Sequence, residues 1–571
     1  MFYLTAKNIT GKAATEALAR ITKYAPHLRA VMICAKEIMC PYVKSKDVKM
    51  NCRYCDKTDS STEDFGKTYI SYRERQLAAL DELLLDKDTV FTVDRITKAA
   101  AEHNVCPYEL ALDLSESCEI IICDYNYVID DGIRFMRYFK NVKNTEKYIF
   151  LFDEAHNLPD RTRNTYSAVL STDDAEKLRT IAETYITDDT EFVSRLDELS
   201  SALGEICAMC TDSEYVKSTD EGEVSYGFYE SSSAPSELIR CAGNLSRVLR
   251  RIIRDGGDYT ELLEEHNRTL SKLVFASSYF DEKFRFFASR ENNRVKAEIL
   301  CLDPSGVLSA MLSAARAVVL FSATLSPIEY FCEVTGLEGA KTLELQSPYE
   351  RDNLCLVAYD SISTKLADRK ASAYDCAEVI AETVSAREGN YIAYFPSYEY
   401  MRRVCKLFAG IMPEMSIVMQ KQNMSYRERE RFISLFRSRN SGAVIGFCVL
   451  GGMFSEGIDL AGESLIGTII VGTGMPQLSA ERNIMAAYYD EINERGRDFA
   501  YVCPGMNKVM QAAGRVIRSE SDRGVIVWID DRLGDANIKL MLPPHWRHIK
   551  YTGDTSSLSA ILDSFWEKHA D

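Results

Sequence analysis

The chain has 571 residues, 46 % of them apolar and 27 % charged, and a formal net charge of −17. This balance excludes a disordered or collagen-like polymer, and no apolar stretch reaches the roughly 20 residues that a membrane-spanning helix needs. The excess of acid leaves phosphate contacts to local basic faces, and the length predicts three or four domains at roughly 100–200 residues each.

The first strand is read at Phe2-Tyr3-Leu4-Thr5, followed by an amphipathic helix through Ile21. The opening residues have neither the apolar core nor the cleavage pattern of a signal peptide. With 17 cysteines, this predicts a reducing, cytoplasmic location with thiols free or metal-bound. A cysteine-bearing, loop-rich insertion is expected from about Cys34 to Cys106. Apolar strands then resume at Ile120–Cys123 and Tyr148–Phe152. From about Thr165 to Ala297 the pattern turns helical and polar, interrupted by a turn or small hairpin at Glu221–Gly227. Later strands are predicted at Ala317–Phe321, Leu354–Ala358, Tyr391–Phe395, Ser416–Met419, Ala443–Phe447, Thr468–Val471 and Gly524–Ile529. Alternation of strand and helix over this stretch predicts a second parallel α/β unit. The domain order expected is 1–33, 34–110 (cysteine insert), 111–164, 165–297 (helical insert), 298–347 and 348–571.

Two arginine clusters stand out. Arg247, Arg250, Arg251 and Arg254 lie at helical spacing, whereas Arg427, Arg429, Arg431, Arg437 and Arg439 have acids among them. Both also read as solvated helix faces.

The chemistry-bearing motifs follow strands. Tyr148-Ile-Phe-Leu-Phe-Asp-Glu-Ala-His156 is an apolar run ending in adjacent carboxylates. At the carboxyl end of a buried parallel strand, Asp153 can hold the Mg²⁺ of bound ATP and Glu154 can orient or deprotonate the attacking water. Phe321-Ser-Ala-Thr-Leu-Ser326 follows a second strand, and Ser322 and Thr324 can hydrogen-bond the acidic motif. Phe395-Pro-Ser-Tyr398 offers Ser397 to a phosphate. In Phe454-Ser-Glu-Gly-Ile-Asp459, Gly457 permits close backbone approach, and Asp459 can contact a ribose or orient an arginine. Gln511-Ala-Ala-Gly-Arg-Val-Ile-Arg518 sets Arg515 and Arg518 three apart, on one face if helical, each able to stabilise charge on a transferring phosphoryl group. Cys40, Cys52, Cys55 and Cys106 supply four thiolates for zinc or an iron–sulfur cluster. One C-x-x-C pair flanked by two isolated cysteines is not the double pair that zinc modules usually show.

Together these residues resemble the XPD/DinG-like, Rad3-related family of superfamily-two iron–sulfur DNA helicases over nearly the whole chain. The match rests on Asp153–His156, Ser322–Ser326, Phe395–Tyr398, Glu456–Asp459, Gln511–Arg518, the cysteines, and the phrases Val105–Leu110 and Cys123–Val128. The resemblance implies an α/β protein with two RecA-like parallel-sheet motor domains, the first interrupted by an iron–sulfur insert and a helical arch. It implies a 4Fe–4S cluster on Cys40, Cys52, Cys55 and Cys106. It implies a catalytic set of Asp153, Glu154, His156, Gln511, Arg515 and Arg518, with ATP as substrate and Mg²⁺ on Asp153. Translocation would run 5′→3′ on single-stranded or forked DNA, in repair or replication.

The sequence departs from the family at its first motif. No Gly-x-x-x-x-Gly-Lys-Ser/Thr is present: Gly11-Lys12 is followed by Ala13, and Gly66-Lys67-Thr68 has Ser61 in place of the first glycine. The expectation drawn is a truncated helicase, inactive as written. The alternative is a non-catalytic iron–sulfur protein that binds single-stranded DNA or a repair partner.

Overall fold

The computed structural model describes residues 1–6, 11–40, 65–139, 147–186, 189–219, 222–256, 259–437, 442–455, 460 and 462–569. They form two compact units, Met1–Thr162 with Ser305–Ala323, and Arg163–Pro304 with Thr324–Asp571. Among the described residues no helix is long and apolar enough to cross a membrane.

The chain begins with β1 (Phe2–Thr5), β2 (Ala30–Met32), β3 (Val90–Phe91), β4 (Ile120–Asp124) and β5 (Ile149–Asp153). It then runs through β6 (Ala168–Ser171), β7 (Thr211–Thr219), β8 (Gly222–Ser231), β9 (Phe284–Glu291) and β10 (Arg294–Cys301) before β11 (Ala317–Phe321). The first unit joins six of these strands into a parallel sheet of order β11-β5-β1-β4-β2-β3. Phe2, Leu4, Phe150, Phe152 and Ile122 are buried, as strands covered on both faces require. Register aligns the carboxyl ends: Thr5 pairs with Asp124, Leu4 with Phe152, and Phe321 with Asp153. Among the described residues the outer edge of β11 pairs with no strand, and Val319 on it is 48 % exposed.

The expected loop-rich character of the cysteine insert does not hold where it is described. Residues 65–85 form a 21-residue helix and Val93–Glu102 another, and the parallel sheet takes up the chain again at β3. The polar sequence there packs only one narrow stripe, with Tyr72, Gln76, Ala79 and Leu83 turned inward.

Four long helices do fill the next insert, at Thr172–Tyr185, Thr190–Met209, Ser236–Asp255 and Thr260–Ser277. The insert also carries a five-stranded antiparallel sheet, β6-β10-β9-β8-β7, where the sequence predicts one hairpin. In β10, Val295, Ala297 and Ile299 are buried and interleaved with exposed Arg294 and Lys296 and with Glu298, itself buried beside Lys296, a sequence that reads as polar when scanned for helical period.

The second parallel sheet follows: β12 (Leu354–Tyr359), β13 (Tyr391–Phe395), β14 (Ser416–Met419), β15 (Val444–Val449), β16 (Gly467–Val471), β17 (Gly524–Ile529) and β18 (Lys550–Thr552), in order β14-β15-β13-β16-β17-β12-β18. Trp528, Tyr391 and Tyr394 are fully buried in it. Phe287 and Leu302 of the insert join one hydrophobic cluster with Tyr488, Tyr489 and Trp528.

Candidate active site

In the first unit the candidate residues gather at the carboxyl ends of β1, β4, β5 and β11. The chain reverses sharply after β5, and Glu154 takes a left-handed conformation at φ 53°, ψ 43°. That conformation costs a side-chain-bearing residue about 1–2 kcal/mol, so the surroundings must hold it. They do so through hydrogen bonds. The Ser322 hydroxyl donates to Glu154 Oε2 at 3.1 Å, and His156 Nδ1 lies 2.7 Å from Ser322 Oγ and 3.4 Å from Glu154 Oε2. Asn157 Nδ2 lies 2.8 Å from His156 Nε2, which fixes the buried imidazole from its other side. The predicted bond from Ser322 to the acidic motif is therefore present, with His156 as its second partner.

Asp153 is placed by two tyrosines that no motif singles out. Tyr3 Oη donates to Asp153 Oδ2 at 2.8 Å, and Tyr125 Oη donates to the Asp153 carbonyl. Burial pushes the Asp153 carboxyl above its ordinary value; the Tyr3 hydroxyl opposes this and the Glu154 charge adds to it. Asp124 is raised by burial too, moderated by the Asn126 amide and by Arg161, whose guanidinium stands 3.5 Å away and also donates to the Ala6 carbonyl. The rim thus holds three carboxylates and one arginine. Asp153, whose ionisation is opposed by burial and by the Glu154 charge, would gain from a positive charge beside it.

Thr324 follows two residues after Ser322, in the turn before the Ile328–Thr335 helix. Gly457 and Asp459 lie outside the described residues.

In the second unit the helix Cys503–Ala513 ends at Gly514, so Arg515 and Arg518 do not share a helical face. The reason is Asp522, whose Oδ2 accepts the backbone N–H groups of Arg518 and Ser519 at 2.8 and 2.9 Å and so folds the chain into a turn. Arg515 Nε donates to the Ser455 carbonyl at 3.2 Å, and the Tyr349 hydroxyl donates to the Arg518 carbonyl at 2.8 Å. Arg515 is thereby brought to the Phe454-Ser455 segment. Among the described residues, buried Gln511 finds no hydrogen-bond partner for its Oε1. Ser397 caps the helix Tyr398–Ile411 by accepting from the Tyr400 amide.

Of the four cysteines, Cys40 ends the short helix Lys36–Met39 and Cys106 caps Pro107–Ser115, two helices that pack together. Both thiols are buried, and the Cys106 amide donates to Tyr72 Oη at 3.1 Å. Cys52 and Cys55 lie outside the described residues. Among the described residues no group of three ligating side chains gathers. The donor chemistry of Cys40 and Cys106, soft and shielded, fits an iron–sulfur cluster or zinc alike.

Comparison with known proteins agrees with this architecture. Residues 5–175 match the DEAD_2 family model, and residues 380–549 match the family model described as helicase C-terminal domain. ATP-dependent DNA helicase CHL1 of Candida albicans is 22 % identical over 92 % of this chain and 69 % of its own length. The general transcription and DNA repair factor IIH helicase subunit XPD of Dictyostelium discoideum is 23 % identical over 81 % and 68 %. The regulator of telomere elongation helicase 1 homolog of Caenorhabditis briggsae is 22 % identical over 87 % of this chain and 58 % of its own length, so the chain spans little more than half of that relative. Among solved structures, an XPD helicase superposes with a TM-score of 0.60 at 18 % identity, covering 97 % of this chain and 91 % of that one. Xpd4 of S. tokodaii gives 0.54 at 13 %, covering 97 % and 96 %. Two RecA-like parallel sheets, each presenting motif residues at its carboxyl edge, define a superfamily-two helicase fold. Within that class the chain belongs to the XPD/Rad3-like helicases.

Proposed function

We propose that this chain forms the body of an ATP-dependent DNA helicase or translocase that moves 5′→3′ on single-stranded DNA, in repair or replication. The observation that carries the reading is the Ser322–Glu154–His156 network at the rim of the first sheet. It aims a carboxylate held in a costly backbone conformation toward the end of the strand that carries Asp153. Such strain persists where an oriented base is needed. Asp153 would hold Mg²⁺, which supplies charge neutralisation for bound ATP. Glu154 orients and deprotonates water, and Ser322 relays the state of the acidic motif to the segment that follows β11. Arg515 and Arg518 supply positive charge for the transferring phosphoryl group, and Gln511, with an unused buried acceptor, can take a hydrogen bond from the attacking water. Residues 165–297 would form the arch, and residues 348–571 the second motor domain. Cys40, Cys52, Cys55 and Cys106 would hold a 4Fe–4S cluster that staples the insert.

Phosphate cradling is the function for which this sequence offers no Gly-rich loop. A strand added in parallel to the free edge of β11 would end beside Ser322 and Asp153, where a phosphate-binding loop could reach the same site. Single-strand-stimulated ATP hydrolysis is therefore to be measured twice. The chain as printed is compared with the same chain preceded by a strand–P-loop–helix segment. Turnover only in the second supports the helicase reading. Turnover in neither, with DNA binding intact, favours the non-catalytic binding protein that the missing loop suggests. Iron and acid-labile sulfide after anaerobic purification test the cluster, and stoichiometric zinc without sulfide would sink it.

A further inference from the structure

The arginine cluster of the insert has a geometry that a merely solvated helix face does not explain. On the helix Ser236–Asp255, Leu245, Val248, Leu249 and Ile252 face the bundle, and Arg247, Arg250 and Arg254 recur at i, i+3 and i+7 on the opposite, exposed face. Neighbouring Arg251 is neutralised, since its guanidinium meets Asp189 and Glu191, each at 2.6 Å. The other three are not. Arg247 donates to Asn244 Oδ1 and Arg250 to the Ser246 carbonyl, and among the described residues neither meets a carboxylate. Arg254, 80 % exposed, comes only within 4.0 Å of Asp255. In a chain with net charge −17, three guanidinium groups in one row, two of them meeting no carboxylate among the described residues, are a local reversal of sign.

A second, independent observation lies at the same end of the bundle. Tyr185, which ends the helix Thr172–Tyr185 and is 52 % exposed, pairs with Tyr259, five residues beyond Arg254, with ring centroids 5.7 Å apart at 30°. Exposed aromatic rings beside a row of arginines combine the two elements of single-strand recognition: charge that tracks the backbone and faces on which bases stack. Arg247 to Arg254 spans about 10 Å of helix, more than one phosphate interval of a nucleic-acid strand.

We propose that the Arg247–Arg250–Arg254 row, with the Tyr185–Tyr259 pair at its end, is a track for single-stranded DNA, the guanidinium groups meeting phosphates and the tyrosines meeting bases. This inference rests on the DNA-binding reading above and locates it on the insert. The test is fluorescence anisotropy of labelled oligo-dT with the full chain across a series of KCl concentrations. Arg247→Gln/Arg250→Gln/Arg254→Gln should flatten the slope of log K against log salt by about 2, at about 0.7 per phosphate contact on single strands. Tyr185→Ala and Tyr259→Ala should weaken binding about tenfold, leave that slope unchanged and abolish the preference for oligo-dT over an abasic strand. Arg179→Gln, at an arginine paired with Asp197, should change neither. All six substituted residues are exposed or half-buried at the surface, and circular dichroism checks that each variant is folded. A triple variant with the parental slope overturns the track while leaving DNA binding itself intact. A parental chain that binds no oligo-dT at low salt overturns the DNA reading and the track with it. Equal binding of a poly-glutamate peptide, lost in the triple variant, would assign the row to an acidic protein instead.

Discussion

In the first unit Glu154 sits at φ 53° with its carboxylate held by Ser322 and His156, while in the second unit Arg515 and Arg518 follow a helix end in a turn set by Asp522. The acidic group is fixed through its side chain and its backbone is strained. Arg518 is fixed through its backbone, by its amide on Asp522 and by the Tyr349 hydroxyl on its carbonyl, while Arg515 is held by its Nε on the Ser455 carbonyl. The difference follows from what each must do. A base needs one oxygen aimed at one water, so its side chain is tethered. An arginine that meets a phosphoryl group needs its fork placed, and at Arg518 an anchored main chain sets where the side chain starts.

The largest expected effect tests the tethered side. In a turnover-competent form, Glu154→Gln should lower kcat by about 10²–10⁴ with single-strand binding retained. A variant that unwinds DNA at the parental rate would remove Glu154 from the role of base. Ser322→Ala keeps the carboxylate but releases it, and should cost about tenfold in kcat with little change in KM, since the contact orients rather than binds. If KM rises and kcat holds, Ser322 serves ground-state binding instead.

The anchored side predicts a smaller effect, on stability. Burial works against the Asp522 charge, but the Ser519 hydroxyl and the Arg518 and Ser519 amides outweigh it and hold the carboxyl below its ordinary value. A lowered carboxyl contributes stability that is full above the unfolded value of about 3.9 and is lost as pH falls through the lower folded one. Asp522→Asn should therefore cost about 1–2 kcal/mol near neutrality, and the gap to the parent should close in acid, measured by urea unfolding across pH. A gap that is constant with pH would mean that the loss of the carboxylate acts through geometry and not through charge.

Much of this frame is legible in the residues alone. Ala317–Phe321 and Tyr391–Phe395 are continuous apolar runs ended by Ser or Pro, and both are strands with those bounds. Ala30–Met32 and Val90–Phe91 are too short to carry a pattern of their own; pairing beside β4 makes them strands. Arg515 and Arg518 keep helical spacing in the sequence, yet an aspartate four residues past Arg518 decides against the helix by taking the amides. In the insert sheet β10 escaped notice because buried Val295, Ala297 and Ile299 are interleaved with Arg294, Lys296 and Glu298. Tyr3 could not be foreseen at all, for its partner lies 150 residues away and the contact exists only because β1 and β5 are parallel neighbours.

That tyrosine gives the smallest and most selective prediction. Burial and the nearby Glu154 charge oppose ionisation of Asp153, and the Tyr3 hydroxyl favours it most, ahead of the Glu154 amide and His156. Tyr3→Phe removes one hydrogen bond without changing packing, and at a half-buried site it should cost about 1 kcal/mol or less at pH 7 in metal-free buffer. The sign with pH is opposite to that of ordinary acid lability. A raised carboxyl burdens the fold when charged and is relieved as pH falls, so the parent's Asp153 contribution improves toward acid and the Tyr3→Phe deficit shrinks through the same range. Added Mg²⁺ should shrink it too, because a cation on Asp153 supplies the stabilisation that the hydroxyl gave. A deficit that acid and Mg²⁺ both leave untouched would mean that Tyr3 merely fills space beside Phe321, with which its ring makes an edge contact at 6.1 Å.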